Sequence, residues 1–377
     1  MGRVHSQAYG HGRFYRGVVQ LGRERAMAAK GPIIALDAMG GDNAPGIVVG
    51  GAAIARERFP EARFLLFGDP AVLEPLVAKD KLLLDAVEIR EAADSISADT
   101  KPSQALRNGR DSSMWQALNA VREREADAAV SAGNTGALMA ISKFVLRTPI
   151  GVDRPAMASI MPTANGESVM LDLGANLECD ADNLFQFAIL GALFARSTLA
   201  IERPSVGLLN VGAEELKGSD AIKGAAQNLR LHEGDLPLSF YGFIEGDDIS
   251  AGVVDVVVTD GFSGNVALKT AEGVAKLVSQ FTRRAFKSSP MAGLGYLFAR
   301  PALRRLSTHL DPRKYNGAVF LGLNGIAVKS HGGSDAVGFA NAVGVAVDMA
   351  RHGFLENVRT EFERLQADGL EDKTASL

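Results

Sequence analysis

From Ile33 onward, short apolar runs alternate with longer stretches in which apolar residues recur at helical spacing. Ile33 to Leu36 predicts a strand, and a helical pattern follows across Val48 to Arg58. Phe64 to Phe67 and Val87 to Ile89 predict strands flanking a helix over Pro70 to Ala78. After helices running to about Glu125 come a strand at Ala128 to Ser131 and a helix to about Leu146. Further strands are expected at Ala156 to Met161, Val169 to Asp172, Val206 to Leu209, Ser239 to Phe243, Val253 to Val258, Gly317 to Leu321 and Ile326 to Lys329, with helices closing the chain. The apolar stretch Leu184 to Phe194 is too short for a membrane span and suits a core helix. Strand and helix alternating in this way is the pattern of parallel βα units, which predicts a three-layer αβα, Rossmann-like fold with the sheet between helices. In a parallel sheet all C-terminal strand ends face one edge, where ligands bind. The long helix beyond Asn265 places Val274, Leu277, Val278 and Phe281 on one face, a stripe that reads as core.

Two stretches depart from this rhythm. Residues 1–30 are rich in Arg, Gly and His with little periodicity, and are expected to be a flexible extension or the product of a start placed too far upstream, Met27 then being the true start. Segment 283–314 carries Arg283, Arg284, Lys287, Arg300, Arg304, Arg305, Arg313 and Lys314 against the single acid Asp311, interleaved with Met291, Leu294, Tyr296, Leu297, Phe298 and Leu303. Pro290 and Pro301 are expected to break it into short helices, a basic amphipathic hairpin suited to a surface. With no internal repeat or low-complexity linker, residues 31–377 are read as a single catalytic α/β domain.

Composition narrows the function. A net charge of −4 argues against general nucleic-acid binding, and the single cysteine, Cys179, excludes an intrachain disulfide framework and fits the cytoplasm. The spaced GxGxxG and GxxxxGK[ST] loops and HExxH are absent, which weighs against a standard dinucleotide fold, a P-loop NTPase and a zincin. Asp172, Asp180 and Asp182 read better as surface acids or caps than as Mg²⁺ ligands, and neither metal nor cofactor is expected.

What stands out is a set of strand ends that finish in Gly with Asn, Ser or Asp: 37–45, 131–137, 172–176, 260–265 and 330–335. In the first, Gly40 and Gly41 permit a tight turn, Asp42 or Asn43 can cap, and Pro45 suits the first turn of the next helix. A helix start behind such a loop presents free N–H groups to a phosphate. Converging on one edge, these loops would form one site for an anionic ligand, with Lys101, Lys217, Lys269 and His331 as nearby cations or donors.

The motifs DAMGGDNAP (37–45), SAGNTGALMA (131–140), DLGAN (172–176), LLNVGAEELKG (208–218), TDGFSGNVALKTAEG (259–273) and YNGAVFLGLNGIAVKSHG (315–332) resemble those of the phosphate acyltransferase family, in order and over nearly the whole chain. Residues 1–30 have no counterpart in that pattern, and Ala213 stands where Gly or Glu is common. The resemblance implies a fold similar to phosphotransacetylases and isocitrate-dehydrogenase-like enzymes, a homodimer in peripheral contact with the cytoplasmic face of the membrane, and transfer of a fatty acyl group from acyl carrier protein to inorganic phosphate. The acyl phosphate would feed phospholipid synthesis through a glycerol-3-phosphate acyltransferase.

On this reading a phosphate oxygen attacks the thioester carbonyl directly, since no activated Ser or Cys is visible. Gly40, Gly41, Asp42, Asn43, Lys101, Gly133, Asn134, Thr135, Gly136, Asp260, Gly264 and Lys269 are the expected phosphate and substrate contacts. Asp37, Asn176, Lys217, Asn265 and His331 are the expected catalytic set, Lys217 as charge partner and Asn176, Asn265 or His331 as oxyanion donors. Arg283, Arg284, Arg300, Arg304 and Arg305 are expected to meet carrier protein or lipid headgroups, with Leu294, Leu297 and Phe298 entering the interface or the dimer contact. Replacing Asp37 or Asn134 is expected to remove activity without lowering the melting temperature. A decarboxylating dehydrogenase, needing NAD(P) and a divalent metal, and a non-catalytic membrane scaffold are the rival readings.

Overall fold

The computed structural model describes residues 31–367 apart from 310 and 312, and the side chains apart from those of 304–309 as well. The expected extension over 1–30 lies outside the described residues, as do the side chains of Arg304 and Arg305.

The predicted strands form one sheet of eleven: β1 (Ile33–Asp37), β2 (Arg63–Gly68), β3 (Val87–Glu91), β4 (Ala128–Ser131), β5 (Ala156–Thr163), β6 (Gly166–Leu171), β7 (Ser205–Leu209), β8 (Ser239–Ile244), β9 (Val256–Val258), β10 (Ala318–Leu321) and β11 (Ile326–Lys329). Thirteen helices among the described residues connect and cover them: α1 (Gly46–Arg58), α2 (Pro70–Val77), α3 (Lys81–Leu84), α4 (Pro102–Asn108), α5 (Ser113–Arg122), α6 (Thr135–Leu146), α7 (Ala181–Leu199), α8 (Asp220–Leu231), α9 (Gly246–Ala251), α10 (Gly261–Phe286), α11 (Pro290–His309), α12 (Ala336–Arg351) and α13 (Phe354–Ala367).

The sheet is not parallel throughout. Its order is β3-β2-β1-β4-β11-β10-β5-β6-β9-β7-β8, and β10 runs antiparallel to both β11 and β5, as β5 does to β6. Two parallel halves, β3-β2-β1-β4-β11 and β6-β9-β7-β8, therefore run in opposite directions. The expected convergence of all the glycine-rich loops on one edge fails for this reason. Loops 37–45, 131–137 and 330–335 leave a first edge; loops 172–176, 208–218 and 260–265 leave the opposite, second edge. A strand's apolar run states that it is buried and leaves its direction open until the pairing is known.

The core shows the same division. On one face a single cluster spans both halves, from Ile34 and Val48 through Phe187 and Leu190 to Val258 and Val343. On the other face there are two clusters, one beneath α4, α5 and α6 (Ala35, Trp115, Leu138, Ala327) and one beneath α9 and α10 (Met170, Ile244, Val257). Met157 of β5, partly buried at the sheet's centre, packs against both.

The stripe read as core on α10 is not core: Val274, Leu277, Val278 and Phe281 are 47–56% exposed. Helical spacing identifies an apolar face but not the surface that covers it. Nor does Pro301 end a helix, since α11 runs through it. α10 and α11 pair as a hairpin, with the Phe286 and Tyr296 rings 5.5 Å apart, and leave Met291, Leu294, Leu297 and Phe298 exposed. Among the described residues no helix is long and apolar enough to cross a membrane.

Candidate active site

At the first edge three strand ends meet. The Asp42 N–H donates to the Gly332 carbonyl at 3.0 Å and the Ser330 N–H to the Ser131 carbonyl at 2.8 Å, tying the loops after β1, β4 and β11 together. Helices α1, α6 and α12 all begin here, so their N-terminal ends lie around the same loops, although in α1 the Ile47 and Val48 N–H groups already donate to the Asn43 and Pro45 carbonyls. α6 is capped by Asn134, whose Oδ1 accepts from the Ala137 N–H, and α12 by Asp335, which accepts from the Gly338 N–H. α1 has no side-chain cap, and Pro45 occupies its N-cap position, so neither Asp42 nor Asn43 caps it as expected. Both are exposed and open to a ligand.

Asp37 lies beneath these loops, 1% exposed. Its Oδ1 accepts from Ser113 Oγ at 2.5 Å and its Oδ2 from Ser131 Oγ at 2.6 Å, while Ser131 Oγ accepts from the Gly133 N–H. Burial pushes its carboxyl above the usual range, against the pull of the two hydroxyls and the Met39 and Gly40 amides. Asp37 thus shapes the loops from inside and is closed to substrate. Gly40 is required for this packing, since a Cβ there would stand 2.2 Å from Asp37 Oδ2. Asn134 is similarly committed, its Nδ2 donating to the Ala98 and Thr100 carbonyls. Both expected activity-only positions are structural ties.

Other expected residues fall around this edge in different ways. Gly41 and Gly133 line the loop junction, Thr135 and Lys101 are exposed at the starts of α6 and α4, and Gly136 packs toward Pro102. His331 is exposed; its backbone N–H donates to Asn316 Oδ1 and its Nδ1 accepts from the Gly333 N–H at 3.1 Å.

The second edge has its own buried carboxylate. Asp172 accepts from the backbone N–H groups of Met157, Gly174, Ala175 and Asn176 and from Asn176 Nδ2, yet burial still pushes it up. Asn176 Nδ2 also donates to the Pro155 carbonyl, so it has no proton left for an oxyanion. Asp260 caps α10 through the Ser263 N–H, and Gly264 meets the chain so closely that a Cβ would lie 1.9 Å from the Asp172 carbonyl oxygen. Asn265 is exposed here, Lys269 pairs with Glu272 at 3.0 Å and Lys217 with Glu214 at 2.8 Å. Lys217 and Asn265 therefore stand across the sheet from the first-edge loops and cannot serve a phosphate held there. Cys179, half-buried, is raised to about 12 by burial and by the neighbouring Asp172, which makes it inert as a nucleophile.

Sequence reasoning missed Ser113, Ser131 and Lys329. Lys329 ends β11 in the run Ile326-Ala327-Val328-Lys329 and is 8% exposed. A lysine at an inward position of an otherwise apolar strand was the available signal. Its Nζ donates to the Ala132 carbonyl at 3.3 Å and to the Ser330 carbonyl.

A family model described as "Fatty acid synthesis protein" matches residues 33–357. A phosphate acyltransferase of Paramagnetospirillum magneticum is 58% identical over 333 residues, 88% of this chain and 94% of that protein. Its counterpart in Rhodospirillum centenum is 60% identical over 334 residues, 89% of this chain and 94% of that one. Among solved structures, a phosphotransacetylase from Streptococcus pyogenes superposes with a TM-score of 0.57 at 18% identity, covering 89% of this chain and 98% of that one. The EutD phosphotransacetylase from Staphylococcus aureus gives 0.54 with the same identity and coverage. At that identity the structural likeness establishes the fold.

Proposed function

The chain belongs to the phosphate acyltransferase family, and from that membership we propose that it transfers a fatty acyl group from acyl carrier protein to inorganic phosphate, releasing acyl phosphate. The observation that carries the reading is the first edge, where three loops tied to one another and three helix starts meet beside a buried lysine. Backbone N–H groups so arranged suit a tetrahedral oxyanion and hold it without a metal.

Phosphate held by the loops at Gly40 to Asn43 and Gly133 to Gly136 presents one oxygen to the thioester carbonyl. That oxygen forms the new P–O–C bond, the carbonyl oxygen takes up the negative charge, and collapse of the tetrahedral adduct expels the pantetheine thiolate. Positioning contributes to the acceleration, since attack becomes effectively unimolecular. Of the three expected oxyanion donors, His331 stands at this edge and is exposed.

The α10–α11 hairpin supplies the partner contact. Arg283, Arg284, Lys287 and Arg300 are exposed and make no ion pair among the described residues, while Leu294, Leu297 and Phe298 are 53–79% exposed. In this reading the hairpin of a homodimer rests on the cytoplasmic face of the membrane, each cation near an anionic leaflet contributing about 1 kcal/mol. A glycerol-3-phosphate acyltransferase there consumes the product.

The test is release of carrier-protein thiol from palmitoyl carrier protein, with and without inorganic phosphate, in EDTA and without nucleotide. Phosphate-dependent release with acyl phosphate formed is the expected result. No release from folded protein would overturn the proposal in favour of a scaffold, and turnover that needs NAD(P) and a divalent metal would favour the dehydrogenase.

A further inference from the structure

Beneath the first-edge loops the sheet presents one transverse row of residues. Ser131 pairs in register with Lys329, Lys329 with Ala318, and the row continues through Ser159 to Met170 and Val257. Asp37 stands beside Ser131 at its other end. Side chains alternate across a strand, and Ala129 and Ala327, two residues earlier, belong to the cluster beneath α4, α5 and α6, so Ser131 and Lys329 point to that face. Ala158 belongs to the cluster on the opposite face, which turns Ser159 to the same side as Lys329. The row thus crosses the gap between the two clusters of the divided face.

A core row is expected to be apolar, yet Asp37, Ser131, Lys329 and Ser159 are exposed by only 1%, 3%, 8% and 8%. Each polar group can be followed to its partners. Asp37 is taken up by Ser113 and Ser131, and Ser131 completes its own bonds with the Gly133 N–H. Lys329 is different. Its ammonium has three protons, and the two acceptors it reaches, the carbonyls of Ala132 and Ser330, are neutral. It makes no ion pair among the described residues; Asp37 and Asp42 act on it only through space. Ser159 Oγ is similarly underused, reaching the Ile160 and Tyr315 carbonyls at 3.5 and 3.4 Å. In register between the two stands Ala318, a small and only partly buried residue.

A buried cation left with neutral acceptors is costly, and an anion against it removes the cost. We propose that Lys329, with Ser159 two strands along the same face, seats the phosphate: one phosphate oxygen accepts the third Lys329 proton, a second accepts from Ser159 Oγ, and the loop amides hold the rest. This deepens the acyltransferase reading, filling the place of charge partner that Lys217, at the second edge, cannot occupy.

Inorganic phosphate is the probe. The melting temperature of the wild-type protein should rise with phosphate, and Lys329→Gln should lose that rise. In the transfer assay Lys329→Gln should raise the phosphate KM about tenfold or more, the loss expected for one charged hydrogen bond, with the KM for palmitoyl carrier protein nearly unchanged. Ser159→Ala should raise the phosphate KM about threefold, the loss of one neutral bond. A folded Lys329→Gln protein that keeps both the phosphate KM and the thermal response overturns the assignment. Should that variant fail to fold, Ala318→Asp, which sets a carboxylate in register with Lys329, reads the same question: it should abolish the thermal response, and an undiminished response overturns the proposal. A wild-type thermal response without any acyl transfer would sustain the anion site and remove the acyltransferase reading. Transfer with the phosphate KM unmoved in Lys329→Gln would do the reverse.

Discussion

Asp37 and Asn134 show how a residue's chemistry and its role separate. Both were expected to act on substrate, and both instead spend their polar atoms on the protein. Asp37→Ala should lower activity and the melting temperature together, at roughly 1–3 kcal/mol for the Ser113 and Ser131 hydroxyls left without an acceptor; calorimetry beside the transfer assay checks this. Cys179→Ala should keep full activity, and iodoacetamide should label the folded protein far more slowly than the urea-unfolded one, because a thiol raised to about 12 is almost wholly protonated at neutral pH. Lys329 titrates in the opposite sense. Burial lowers it from 10.5 to about 8, against the pull of Asp37 on β1 and Asp42 on the following loop; Ser131 on β4 and Ala318 on β10, its register neighbours, do not titrate. The folded protein therefore gives up this proton before the unfolded chain does, so its charging penalty is full below pH 8 and fades as pH rises from about 8 toward 10.5. The ammonium that holds phosphate is lost over the same window. The phosphate KM should climb above about pH 8 in the wild type and not in Lys329→Gln, as initial rates across pH would show.

At the scale of elements, the two edges repeat one device: a strand ending in a buried Asp, a glycine-bearing loop, and a second strand whose following helix starts against it. Asp37 with Ser131 and α6 forms one instance, Asp172 with Gly264 and α10 the other. Gly264→Ala should cost roughly 1–3 kcal/mol or more, because the new methyl meets a backbone carbonyl that has no room to move; a fall in melting temperature greater than that of Gly273→Ala, an open position on the same helix, checks it. The α10–α11 hairpin carries a prediction of its own. Leu294→Glu with Leu297→Glu and Phe298→Glu should abolish flotation with anionic vesicles while leaving the melting temperature unchanged, since these side chains support nothing in the body. Wild-type flotation should weaken with salt, as screening requires. If the triple variant instead becomes monomeric and still floats, the apolar face belongs to the dimer.

For the whole molecule, the opposed halves of the sheet decide which residues can work together. One continuous core on one face holds the halves as a unit, while the divided face leaves a seam over β10 and β5. The polar row from Asp37 to Ser159 crosses that seam, so the proposed phosphate seat draws on β4, β5 and β11, which no local segment contains. Phosphate should accordingly protect amides of β4, β5 and β11 from hydrogen exchange together, and protection confined to the loop at 40–43 would show that the row takes no part.

The sequence by itself determined the strands and helices, the αβα layering and the family. Those follow from local periodicity, from small residues at strand ends, and from long motifs in fixed order. It also located the basic hairpin, whose charge run is visible without any partner. What only the tertiary structure decided was direction and company. Strand polarity depends on pairing between residues more than a hundred positions apart, as when β11 enters beside β4, and it placed Lys217 and Asn265 across the sheet from the loops they were expected to serve. Whether an apolar stripe is core depends on what packs over it, which is why Val274 to Phe281 read as buried and are not. Lys329 stood in the sequence as a lysine closing an apolar strand, but only the fold showed that burial removes its water and leaves it neutral neighbours.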